Sequence, residues 1–217
     1  MKKALSVLMI FAVLLTLVGC GSKVKLEPGQ VFVEFKKDTV AIQFSVPKDD
    51  AEDEFDINFK DSTKSIQKDL EDYFSDDYDG DVKIKDLKKS KDYISFTVEL
   101  DADDFADMYR YSYHNEYTLE DYADDRGYDD VDELAENQKF VLYSNGKTVD
   151  EDDVSKYEDD YAVMVFGSGL GMFGQGAYFK FPKNILIVAK DLKYEKISNN
   201  TIFIKRSSSS GIVVVKK

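Results

Sequence analysis

The feature that most limits what this chain can become is the alternation of apolar side chains between residues 31 and 46. Val31, Val33 and Phe35 are spaced by two, Lys37-Asp38 interrupts, and Val40, Ile42, Phe44 and Val46 resume the spacing. Successive side chains of a strand point to opposite faces, so this pattern on both sides of a short turn specifies a hairpin with one buried face. Pro47 ends it. The same period returns over 93–100, where Ile94, Phe96, Val98 and Leu100 stand opposite Tyr93, Ser95, Thr97 and Glu99. The last quarter predicts further strands at 161–166, 177–181, 185–189, 201–205 and 212–215, with Asn199-Asn200 as a hairpin turn before Thr201.

A different period occupies the middle. Ser62 caps a helix reaching about Asp76, with Ile66, Leu70, Tyr73 and Phe74 at the i, i+4, i+7, i+8 positions of one face. Val82, Ile84 and Asp86 mark a short strand. Asp101 or Asp103 opens a helical turn over Phe105 and Met108. Thr118 and Asp121 form a capping box that starts a helix through Tyr122, and Asp130 caps another through Leu134 and Ala135. Residues 140–143 follow as a strand and 144–147 as a turn, whereas 48–56, nearly all acidic, are expected to form a solvated loop. Helices grouped ahead of a run of strands predict an α+β fold: a mostly antiparallel sheet, with three to five short helices inserted in the acidic middle.

Charge divides the chain in the same way. Residues 49–160 hold 38 acids and 13 bases, and residues 161–217 hold two acids and nine bases, in a protein of formal charge -14. An acidic middle and a basic end give the folded molecule a dipole that bears on orientation and partners. Nucleic acid is not an expected partner, because the basic region is short and strand-like.

The first nineteen residues have the parts of an export signal. Lys2 and Lys3 are followed by an apolar run from Ala4 to Val18, broken by Ser6 and Thr16 and shorter than the roughly 20 residues that span a bilayer. Leu17-Val18-Gly19-Cys20 closes it, and that tetrapeptide resembles the lipobox of bacterial lipoproteins. The resemblance implies that residues 1–19 are a signal peptide, that Gly19 is the last residue removed, and that Cys20 carries a diacylglyceryl group. An anchor of two or more acyl chains is nearly permanent, at about 0.8 kcal/mol per buried methylene. Residues 20–29 then form a lipid-proximal tether, and 30–217 a single extracellular domain. Cys20 is the sole cysteine, so no disulfide braces that domain.

Catalytic residues are scarce. His114 is the one histidine, which excludes a zinc site of His and Cys ligands and obliges any Ser-His-Asp triad to use it. Gly169-Leu170-Gly171-Met172-Phe173-Gly174 matches G-x-G-x-x-G, but a strand rather than a helix follows, so a phosphate would meet no helix N-terminus. The segment is instead expected to be a long glycine-rich hairpin connection, with Leu170, Met172 and Phe173 at a tip that folds on the core or touches lipid or a partner. Asp77, Asp79 and Asp81 have the spacing of the first EF-hand ligands, yet Val82 and Lys88 stand where that loop needs Gly and Glu. Asp76–Asp81 and Glu151–Asp153 remain candidates for irregular oxygen sites that bind calcium weakly, against a solvated acidic surface. Tyr109, Tyr111 and Tyr113 would share one face of a strand as an aromatic stripe for glycan or peptide; core packing is the ordinary alternative.

Towards the C-terminus, Phe181-Pro182-Lys183, a strand, and Ser198-Asn199-Asn200-Thr201-Ile202 resemble the LppM-like lipoprotein domain. That family usually has Gly where Lys183 stands, and a C-terminal membrane helix that is lacking here. The resemblance implies a sheet-based, non-catalytic domain acting at the envelope, on lipid. The resulting expectation is a lipoprotein on the outer face of the cell membrane with a binding or structural role and no resident cofactor. Its partners would be the membrane through Cys20, and an envelope protein, glycan or lipid. A glycan hydrolase working through a carboxylate pair and a calcium-stabilised adhesion module are the alternatives.

Overall fold

A computed structural model describes residues 24–77, 82–110, 112–167, 175–206 and 210–217, without the side chains of 76, 77 and 108. Among these residues eleven strands form two sheets: β1 Gln30–Phe35, β2 Thr39–Pro47, β3 Lys83–Lys89, β4 Tyr93–Asp101, β5 Phe140–Leu142, β6 Tyr161–Val165, β7 Gly176–Lys180, β8 Ile185–Ala189, β9 Tyr194–Ser198, β10 Thr201–Lys205 and β11 Gly211–Val215. Sheet A has the order β3-β4-β2-β1-β7-β10-β9, and sheet B the order β5-β8-β11-β6. All pairs are antiparallel except β1 with β7. The fold is α+β, as the two periodicities imply.

Six helices appear among the described residues: α1 Lys48–Phe55, α2 Thr63–Asp77, α3 Ala102–Met108, α4 Leu119–Asp125, α5 Val131–Asn137 and α6 Glu151–Val154. Four follow the sequence reading. The Ser62 hydroxyl accepts from Ser65 N at the start of α2, and Asp101 caps α3. Thr118 and Asp121 exchange both bonds of a capping box on α4, and Asp130 caps α5. The other two were not expected. Residues 48–55 are a helix rather than a solvated loop, because Ala51 and Phe55 lie one turn apart and are both buried, leaving the acids on the wet face. Residues 151–154 form α6 around the buried Val154.

The alternation in β1, β2 and β4 turns one face of sheet A inward. Two covers share that face. Over β2 and β4, Phe55 of α1 and Phe74 of α2 pack on Phe96, with ring centroids 5.9 and 6.1 Å away. Over β1, β7 and β10 lies sheet B, which contributes Val163, Val165, Val188, Val213 and Val215 to the same core. Tyr143, just past β5, donates from its buried hydroxyl to the Thr201 carbonyl at 2.6 Å and ties the sheets together. The opposite face of sheet B, with Ala162, Ile187, Ile212 and Val214, forms a second core with α4, α5 and α6. Sheet B is thus buried on both faces, which explains its near-continuous apolar strands.

One connection departs from expectation. Strands β6 and β7 do not form a glycine-rich hairpin: β6 pairs with β11 in sheet B, whereas β7 sits between β1 and β10 in sheet A. The chain crosses between sheets there, and Gly167 makes the crossing close, since a Cβ at that position would overlap the Lys205 carbonyl. Strand β9 had no signal either. Its residues are nearly all exposed on the sheet edge, so no alternation was needed.

Candidate functional site

Helix α3 ends where Tyr109 N bonds the Phe105 carbonyl, and a 3₁₀ turn follows at Tyr113–Asn115. Asn115 fixes this strap. Its amide donates to the carbonyls of Ala106, Tyr109 and Arg110, at 3.0, 3.1 and 2.7 Å. Beneath the strap is a half-open cavity of about 170 Å³, lined by Phe105, Tyr109, Arg110 and Ser112 on the strap side, Phe35 and Phe179 of sheet A, and Met164 and Phe166 of sheet B.

Six of the eight lining side chains are apolar or aromatic. Phe105 meets Phe35 edge-on at 6.0 Å and Tyr109 at 4.6 Å, and Phe166 stands edge-on to Phe179 at 5.3 Å. Burial pushes the Tyr109 phenol above its ordinary value, as a water-poor wall should. Arg110 supplies the charged rim. Its guanidinium binds the Asp125 carboxylate of α4 at 2.6 Å and lies 5.7 Å from the Tyr117 ring, and the Tyr117 hydroxyl also donates to Asp125. An apolar cavity of about 150 Å³ accepts a benzene ring, so this one fits a single ring or a short alkyl segment.

Two of the three tyrosines of the expected stripe are described, and they do not share a strand. Tyr109 ends a helix and Tyr113 lies in the 3₁₀ turn, so neither is on a strand; Tyr111 is outside the described residues. Tyr113 packs inward against Phe35 and Tyr161, at 6.0 and 5.5 Å. Tyr109 still reaches a site, as a cavity wall. Its partners there escaped the sequence reading because the lining comes from four separated segments. The one local signal was Arg110 between two tyrosines.

The acidic candidates fare differently. Asp79, Asp81 and the side chain of Asp77 lie outside the described residues, as do Cys20, Leu170, Met172 and Phe173. Glu151–Asp153 open α6 rather than an irregular loop; the Glu151 carboxylate pairs with Lys139 and that of Asp153 with Lys156. Among the described residues no group of three or more His, Cys, Asp or Glu side chains is placed to hold a metal ion. Their carboxylates lie on the surface, and the buried polar side chains are Ser45, Ser112 and Thr201. His114 is held by its Nε2, which donates to the Lys36 carbonyl at 2.6 Å in the ε-protonated tautomer.

Gly29, just ahead of β1, is held between β2 and the residue that precedes β7. Gly29 N bonds the Ser45 carbonyl at 2.6 Å, and the Gly29 carbonyl accepts from Gln175 N at 3.0 Å. Phe181-Pro182 and the Asn199-Asn200 turn also meet, since Phe181 N bonds the Asn200 carbonyl at 2.9 Å and Asn200 Nδ2 donates to the Phe181 carbonyl at 2.7 Å. In comparisons with protein-family models, curated proteins and solved structures, nothing matches this chain.

Proposed function

We propose that this chain is a lipid-anchored envelope protein whose domain is a binding module, and that the cavity under the 109–115 strap receives the apolar part of a small amphipathic ligand. The observation that carries the binding reading is the cavity's composition. Aromatic and thioether walls meet one guanidinium at the rim, the arrangement that buries an apolar tail and steers a polar head. The anchor reading rests on the Leu17–Cys20 tetrapeptide. A guest of six to eight carbons fits the volume.

Two measurements test the two parts. Intact mass of protein extracted from membranes, after expression of the full-length gene, is expected to show a chain beginning at Cys20 with added diacylglycerol; an unmodified chain in the medium defeats the anchor. For the cavity, octanoate titrated into the folded domain is expected to give saturable shifts confined to residues around the strap. Met164→Trp, which fills the cavity from a half-buried position, should abolish them without lowering Tm. Equal shifts in the wild-type and filled proteins defeat the binding reading.

A further inference from the structure

The wall of the strap cavity holds one polar group that the protein leaves half-used. Ser112 is 3 % exposed, a buried hydroxyl among aromatic neighbours. Its backbone is pinned on both sides: Ser112 N donates to the Tyr109 carbonyl at 2.8 Å, and the Ser112 carbonyl accepts from Asn115 N at 3.2 Å. The hydroxyl oxygen accepts from His114 N at 3.4 Å, a long bond for an amide donor. A hydroxyl also has a proton to give, and among the described residues no acceptor takes it. Buried polar groups are almost always bonded, so a buried donor without an acceptor marks a place where a further atom belongs.

The rest of the wall narrows what that atom can be part of. Phe35, Phe105, Tyr109, Phe166 and Phe179 all present rings, and the planes cross at 72° between Phe35 and Phe105 and at 83° between Phe166 and Phe179. A flat ring meets such walls with its edge on one face and its face on another edge, and it has no torsions to freeze on entering. A volume of about 170 Å³ admits one ring. The charged residue of the lining, Arg110, is closed on the Asp125 carboxylate at 2.6 Å, and Asp125 also accepts from Tyr117. The rim therefore presents an ion pair rather than a bare cation. An anionic head would leave water to face Asp125 as well as Arg110.

Resting on the cavity reading above, we propose that the guest is an uncharged aryl carbonyl compound, a single aromatic ring whose C=O accepts the proton of Ser112. The ring occupies the aromatic walls, and the carbonyl brings lone pairs without a further donor. Ser112 is then the residue that tells this class from a plain hydrocarbon, because an analogue without the oxygen leaves its donor unpaired.

Acetophenone is the probe. Ethylbenzene has nearly its shape without the oxygen, and 2-octanone carries the same carbonyl on an alkyl chain. Dissociation constants are measured by titration calorimetry on the wild type and on Ser112→Ala. The substitution is expected to weaken acetophenone roughly fivefold or more, the loss of one hydrogen bond, and to change ethylbenzene less than about twofold. Acetophenone should bind the wild type about threefold or more tightly than 2-octanone or octanoate, through its ring contacts. If Ser112→Ala disturbs the strap and weakens ethylbenzene as well, the wild type answers alone. The infrared stretch of bound acetophenone, isotope-labelled at the carbonyl, is expected below its frequency in cyclohexane, as a hydrogen-bonded carbonyl requires. A stretch at the cyclohexane frequency, an unchanged acetophenone affinity in Ser112→Ala, or no preference over 2-octanone overturns the aryl carbonyl, while saturable octanoate binding leaves the cavity reading standing. Failure of all four probes to saturate defeats both.

Discussion

The two halves of sheet A's inner face are buried by different means. Under α1 and α2, strands β2, β4 and β3 are closed by residues 39–101, and β2, β4 and both helices are near neighbours in sequence. Under sheet B, strands β1, β7, β10 and β9 are closed by chain from residue 30 to residue 215, with a parallel β1–β7 pair spanning over 140 residues. Phe96 and Phe179 stand at the centre of the respective halves, each 1 % exposed. Equal burial is therefore reached through local closure on one side and long-range closure on the other, and loop-closure entropy falls almost wholly on the second.

The largest effects should come from emptying either centre. Phe96→Ala and Phe179→Ala are each expected to cost about 3–5 kcal/mol in urea unfolding, because a cavity remains in a rigid surround. Milder substitutions separate the halves kinetically. Ile94→Val and Ile204→Val, both at fully buried positions, should each cost about 1 kcal/mol at equilibrium. The first is expected to slow folding and the second chiefly to speed unfolding, as stopped-flow chevrons would show. The reverse partition would mean that the long-range half forms first.

Gly167→Ala strikes the crossing between sheets, where backbone is met by backbone and no side chain can yield. A loss of about 3 kcal/mol is expected, at the upper end of overpacking costs. A neutral result in thermal unfolding would show that the two sheets can part slightly there.

Tyr143→Phe removes the hydroxyl that joins the sheets, and about 1–2 kcal/mol should go with it. Burial pushes this phenol well above its ordinary value. A raised folded pKa means that the neutral form is favoured in the native state, so its contribution is complete below the unfolded value of about 10 and declines as pH rises beyond it. Stability should fall above pH 10 in the wild type, and less steeply in Tyr143→Phe.

The smallest effect belongs to the outer face. The Lys85 ammonium, hydrogen-bonded to Glu99 at 2.6 Å, holds that carboxyl below its ordinary value, with Lys36 assisting against the opposing effect of burial. A depressed folded pKa gives stability that is present above pH 4.3 or so and is lost as pH falls through the folded value. Lys85→Met should cost under about 1 kcal/mol at pH 7, the usual range of a surface pair, and should flatten the acid limb of the stability profile.

These contrasts also show what the sequence could disclose. Period 2 marked β1, β2 and β4 because one face of each is wet, and period 3.6 with a serine cap marked α2. The strands of sheet B were visible as apolar runs, but their pairing was not: β6 and β7, separated by glycines, look like a hairpin until their partners are known. Helix α1 was hidden because its acids outnumber the two residues it buries, Ala51 and Phe55. For the site, only Tyr109 was legible. A cavity assembled from Phe35, Phe105, Met164 and Phe179 leaves no mark on any one segment, since each of them looks like ordinary core.

The placement of β1 has a mechanical consequence. Held on one side by β2 and on the other by β7, β1 is the strand to which the N-terminal segment leads directly. Tension applied through that segment and resisted by the body of the domain runs along the strand axis. The ladders on both flanks are then loaded in shear, so their hydrogen bonds must fail together rather than one at a time. A pull at this end should meet far greater resistance than one that peels the edge strand β9.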